Sequence, residues 1–200
     1  MLRTLIASCA AAALLCAAGA AQSAIVTYNA TLNGPNEGNA SPGVGFATFA
    51  FDDVANTVQI DAWFSGLTAP TTASHVHCCT AVPGTGTAGV ATQVPNFSLF
   101  PLGVTSGTFS QLFDLSAAST YNPAFVTANG GTIPTAEAAL LNGVVAGRAY
   151  LNIHTSAFPG GEIRGFLAPV PETETWALMI LGFGLAGATL RRRRSALAFA

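Results

Sequence analysis

Lysine is absent from this 200-residue chain, and charged residues of every kind make up only 8% of it. Arginine carries all the permanent positive charge, and five of the seven arginines lie at the ends: Arg3 in front and the block Arg191-Arg192-Arg193-Arg194 behind. Between residues 25 and 168 the bases are therefore Arg148 and Arg164. They face Glu37, Asp52, Asp53, Asp61, Asp114, Glu137 and Glu162, a formal charge of −5. Phosphate recognition needs clustered Lys and Arg, so this stretch is excluded as a binder of nucleic acid or anionic lipid. Helical runs of 10–15 residues between the strand patterns are also missing, which excludes a parallel α/β sheet. The chain has three histidines and four cysteines, and these scarce residues are the ones that bear on function.

The two ends read as an address. Residues 1–24 carry one early charge, Arg3, and then an uncharged run from Leu5 through Ala21 closed by small residues. This is the pattern of a signal peptide, with the mature start placed between Ala21 and Ile25. The run is short for a span of ~20 residues, so a permanent N-terminal anchor is disfavoured. Residues 169–200 hold a Pro-Glu segment, an apolar stretch over 176–190 and the arginine block 191–194. As a helix the apolar stretch reaches only ~22 Å, against ~30 Å of hydrocarbon. Four arginines directly after it resist translocation, which orients the chain with its body outside and its C-terminus in the cytoplasm.

Residues 25–168 remain, enough for one domain with a real core. Hydrophobic period 2 dominates there. Val26, Tyr28, Ala30 and Leu32 alternate with polar residues, as do Val58, Ile60, Ala62 and Phe64. Further strands are expected at 44–51, 107–113, 148–154 and 162–167, separated by Gly-, Pro-, Ser- and Asn-rich turns. The predicted fold is all-β: an antiparallel Greek-key or immunoglobulin-like sandwich or barrel with one short helix, flanked by the signal peptide and a C-terminal hydrophobic helix. The helix is expected over 135–143, with Thr135 as N-cap and Gly143 at its end. Residues 80–105 lack a regular pattern and read as a long loop, a kind that is usually functional or mobile.

That loop follows His75-Val76-His77-Cys78-Cys79. On a strand His75 and His77 share a face, and His154 falls on the polar side of its own strand, so all three are expected off the core face. Three imidazoles suit Zn or Cu if the fold gathers them; otherwise they hydrogen-bond loop backbone or one another. With Cys9 and Cys16 inside the signal peptide, Cys78 and Cys79 are left to an oxidising compartment. A vicinal disulfide is the favoured state, with intermolecular bridges or soft ligation beside His75 and His77 as alternatives. A hairpin through Phe158-Pro159-Gly160 puts Leu151, Ile153, Ile163 and Leu167 on the core side and Glu162 with Arg164 opposite. Glu162 there is a general base or, more plainly, half of an ion pair with Arg164.

Two resemblances follow from these residues. The body, from about Tyr28 to Leu167, resembles the CHRD domain, named from chordin. The likeness rests on Ala73-Ser74-His75-Val76-His77, on Tyr150-Leu151-Asn152-Ile153-His154-Thr155, and above all on the closing motif with Gly161, Glu162, Arg164 and Gly165. Cys78-Cys79 stands where the family has glycine. The family implies an extracellular β-sandwich or barrel. The tail resembles the PEP-CTERM sorting signal of the Pro-Glu-Pro-x-x-Trp-Ala variety through Pro171, Glu172, Trp176 and the arginine block, with Thr173 in place of the second proline. That likeness implies cleavage by an exosortase-type enzyme after transient anchoring in the inner membrane, and delivery to the cell surface or extracellular matrix.

The expected function is a non-enzymatic structural or binding component of the envelope or matrix, with matrix polymers as candidate partners. The alternative is a Cu- or Zn-binding or redox-active extracellular protein using His75, His77 and His154. No nucleophile and base are recognisable together, so a hydrolase is disfavoured.

Overall fold

The computed structural model describes residues 25–171, Trp176 and residues 179–184. The expected signal peptide, Glu172 and the arginine block lie outside the described residues. Trp176 and residues 179–184 are helical and exposed. No helix among the described residues is long and apolar enough to cross a membrane.

The alternating segments form strands: β1 (Ile25–Asn33), β2 (Val44–Asp52), β3 (Thr57–Ser65), β4 (Thr71–His77), β5 (Gly107–Asp114), β6 (Tyr150–Thr155), β7 (Ile163–Phe166) and the short β8 (Ala168–Pro169). All pair antiparallel in one sheet of order β4-β6-β7-β1-β2-β3-β5, with β8 also on β1. The sheet curls into a half-barrel, so the described residues make one curved sheet rather than two stacked ones. Period 2 sets its inner face: Tyr28, Ala30 and Leu32 from β1 and Val58, Ile60, Ala62 and Phe64 from β3 are all buried.

One short helix was too few. Within residues 25–171 there are three, α1 (Gly34–Glu37), α2 (Pro123–Ala128) and α3 (Ile133–Val145), together with a 3₁₀ turn at Ala118–Thr120. The expected 135–143 helix starts earlier because Thr132, not Thr135, is its N-cap, accepting from Thr135 N with Pro134 in the first turn. Gly143 does not end it. Leu140 and Val144 on α3 line one small gap with Phe49, Ile60 and Val76 of the sheet, so α3 fills the open side of the curl.

Residues 80–105 form no named strand or helix, yet they are pinned. Phe97 (1% exposed) packs on Phe109 and Phe113, and Phe100 stacks on Phe64. Burying each such ring is worth about 1.5–3 kcal/mol. The two rings thus fasten the loop on β5 and β3, while backbone bonds from Ala91 N to Val76 O and from Phe97 N to Ser74 O run it along β4, and that placement makes the site.

Candidate functional site

β4 and β6 are adjacent, with His75 opposite Asn152, His77 opposite Tyr150 and Ala73 opposite His154. His75 and His154 are therefore diagonal neighbours on one face, within reach of long side chains. Their nitrogens meet: His75 Nδ1 lies 3.2 Å from His154 Nε2. With His77 included, one ring nitrogen from each histidine lies within 4.8 Å of the others.

These histidines lie off the core face as expected, yet all three are buried at 6–8% exposure. The pairing face is as predicted. It is not a solvent face, because the 80–105 loop and the β6–β7 turn cover it with backbone. His77 Nδ1 donates to Ala88 O at 2.9 Å, His75 Nε2 to Pro95 O at 2.5 Å, and His154 Nδ1 to Pro159 O at 2.9 Å.

Those three carbonyls fix the tautomers. A carbonyl oxygen only accepts, so the nitrogen facing it carries the hydrogen and the other nitrogen carries a lone pair. His75 Nδ1 and His154 Nε2 then confront each other as two acceptors, and His77 Nε2 is buried with no hydrogen-bond partner. Protonation does not relieve this arrangement. Burial pushes all three imidazoles below their ordinary 6.5, only partly opposed by the carbonyl bonds, and His77 falls to about 4. Near neutral pH the site is three uncharged imidazoles with inward lone pairs.

Ligands of one metal with bonds of ~2.0–2.1 Å stand ~3.3 Å apart at a tetrahedral angle, close to the His75–His154 spacing. The widest of the three separations would close by no more than ~1.5 Å to match. Donating the second ring N–H to a carbonyl is also the usual support of a ligating histidine. The cysteines do not join this group. Cys78 and Cys79 are disulfide-bonded to each other across a cis peptide. Strand alternation turns Cys78 to the Val76 side, away from the histidines, into contact with α3 at Gly143.

The closing motif has a structural role instead. Glu162 is fully buried, and its Oε1 accepts from Ser41 Oγ (2.6 Å), Thr68 N (2.7 Å) and Thr68 Oγ1 (2.9 Å), while Oε2 accepts from Thr155 Oγ1 (2.6 Å). Burial alone would raise its pKa. The bonds from Ser41, Thr155 and Thr68 reverse that and hold the carboxyl below its ordinary value. The expected Glu162–Arg164 pair is not formed. Arg164 lies instead 3.3 Å from Glu37, donates to Asn36 O and Gly86 O, and rests over the Tyr150 ring at 4.9 Å. Gly161 has φ +131°, and a Cβ on Gly165 would meet the Thr31 carbonyl oxygen at 2.5 Å, so β7 approaches β1 only as glycine. Of the sorting residues, Pro171 and Trp176 are exposed.

Sequence reading missed Tyr150, whose ring stacks on His77, and the supporting carbonyls of Ala88, Pro95 and Pro159. Opposition across β4 and β6 would have found the first. No residue type signals a carbonyl. In comparison with known proteins, the model of the CHRD domain family matches residues 28–167. No curated protein and no solved structure matches the chain.

Proposed function

The chain belongs to the CHRD domain family, and from that footing we propose that it is an extracellular binding domain whose ligand at His75, His77 and His154 is one Zn or Cu ion. The observation that carries this reading is three buried imidazoles with ring nitrogens within 4.8 Å of one another, each giving one nitrogen to a carbonyl and keeping a lone pair on the other. Three lone pairs gathered in low dielectric repel one another and lack donors, which costs free energy unless a Lewis acid takes them up. Imidazole suits Zn and Cu, and three neutral ligands leave a coordination position open.

The role is binding rather than catalysis. Glu162, the one residue considered as a base, is fully buried, accepts four hydrogen bonds from Ser41, Thr68 and Thr155, and is closed to a substrate. The address supports the same reading: a removable export signal in front, then a tail whose Pro171, Glu172, Trp176 and arginine block fit exosortase-type sorting from the inner membrane to the cell surface or matrix. There the domain serves as a structural or binding component.

Metal analysis of protein expressed with export decides the matter, run beside the triple variant H75A/H77A/H154A. The expected result is close to one Zn or Cu per wild-type chain and background in the variant. Equal metal in both, or none in either after loading, overturns the proposal.

A further inference from the structure

A second site lies behind the disulfide. α2, α3 and the disulfide of Cys78 and Cys79 line an open cleft of about 590 Å³, and no histidine lines it. That volume is typical of small-molecule sites, roughly 300–1,000 Å³. Its lining includes apolar groups, among them the disulfide, Phe125 and Ala139, and the polar side chains of Asn129, Asn142 and Arg148.

Arg148 points to the ligand. It is one of two cations in an acidic domain, and the other, Arg164, is opposed by Glu37. Arg148 is half-buried, donates through Nε to Thr80 O, and has no carboxylate within ion-pair distance among the described residues. Its terminal nitrogens likewise have no protein acceptor among those residues. A guanidinium half out of water with four free N–H groups matches one carboxylate, which it binds through two parallel bonds. A dianionic phosphate would call for more than one cation. A long acyl chain would leave the amides of Asn129 and Asn142 without partners. Among the described residues both amides have capacity to spare: Asn129 uses only its Nδ2, on Phe125 O, and Asn142 makes no side-chain bond.

We propose that this cleft binds a sugar acid: a pyranose with its carboxylate on Arg148, its apolar ring face on the disulfide and Phe125, and its hydroxyls on Asn129 and Asn142. The ligand is a free hexuronate or a uronate unit of a polymer, which share this chemistry. The site is independent of the histidines.

The test is calorimetric titration of the intact domain with glucuronate, glucose and a uronate oligosaccharide, with R148M, R148K and N142A beside wild type and thermal melting as the fold control. Saturable glucuronate binding is expected, at least about tenfold tighter than glucose, with a comparable loss in R148M and partial retention in R148K. The H75A/H77A/H154A variant should bind as wild type does. A stronger response to the oligosaccharide assigns the polymer as ligand, and an equal response assigns the free acid. If R148M does not fold, the glucuronate-to-glucose ratio and N142A decide instead. Equal binding of glucose and glucuronate, no saturable uronate binding, or unchanged affinity in a folded R148M overturns the proposal.

Discussion

The imidazole of His77 lies 4.9 Å from the ring of Tyr150 and 8° from parallel to it, and both residues bind Ala88. His77 Nδ1 donates to Ala88 O, while the Tyr150 hydroxyl accepts from Ala88 N at 3.2 Å. Tyr150 thus holds the ring by its face and holds the carbonyl that fixes the tautomer. It touches none of the inward lone pairs, so it is a positioning residue. Replacing it with leucine, which removes both contacts, should weaken metal binding by roughly 10–100-fold, as loss of a supporting partner typically does. Tyr150→Phe keeps the stack and should lose less. Competition against a chromophoric chelator measures both; equal affinity in all three proteins would remove Tyr150 from the site.

Acid should destabilise the metal-free domain in a definite window. The folded-state values of the three histidines lie below 6.5, so the unfolded chain takes up protons first as pH falls. Their contribution to stability is complete above about pH 6.5 and is lost on the way down to about 4, the His77 value. His77 alone accounts for on the order of 3 kcal/mol across that range. Urea unfolding at stepped pH should show stability rising from pH 4 to 6.5 in wild type and a flatter profile in H75A/H77A/H154A.

Glu162 acts in a lower window. Its folded value is depressed, so its contribution is present above the ordinary 4.5 and fades as pH drops through the lower folded value. Glu162→Gln puts an amide where four donors converge. It should cost about 2–4 kcal/mol at neutral pH and flatten the stability profile below pH 4.5 relative to wild type. A change under about 0.5 kcal/mol would mean that the buried carboxylate does not hold the Ser41, Thr68 and Thr155 segments together.

How much of this was written in the sequence depends on the range of the interaction. Period 2 marked β1 and β3 because each presents one face to the core, as Ala30 and Ile60 show. The motif from Gly161 to Gly165 marked a place where β7 crowds β1. What was lost depended on distant segments. Alternation puts the histidines off the core face, but it says which side a residue takes, not what covers that side; here backbone bonds to Ser74 and Val76 lay the 80–105 loop along it. The Glu162–Arg164 pair failed for the same reason. Spacing of two put them on one face, but Ser41, Thr68 and Thr155 reach Glu162 first, and α1 brings Glu37 to Arg164. The helix boundary is ambiguous in sequence because Thr132 and Thr135, three residues apart with Pro134 between them, both suit an N-cap.

Gly143 tests the packing behind the disulfide. A Cβ there would overlap both the Cys78 and Cys79 sulfurs. Alanine gains about 1 kcal/mol of helix propensity, whereas overpacking typically costs 1–3 kcal/mol, so the clash should win and Gly143→Ala should lower the melting temperature. In a C78A/C79A background the clash is gone, and the same substitution should be neutral or stabilising. A loss of equal size in both backgrounds would show that the sulfurs do not set the tolerance at this position.

Whether His75, His77 and His154 share one metal is read by X-ray absorption at the metal edge of the loaded protein. Three imidazole nitrogens at ~2.0–2.1 Å are expected, with the outer-shell scattering of histidine rings and no sulfur shell. A sulfur shell at ~2.3 Å, or a shell of oxygens without imidazole scattering, would contradict a shared metal.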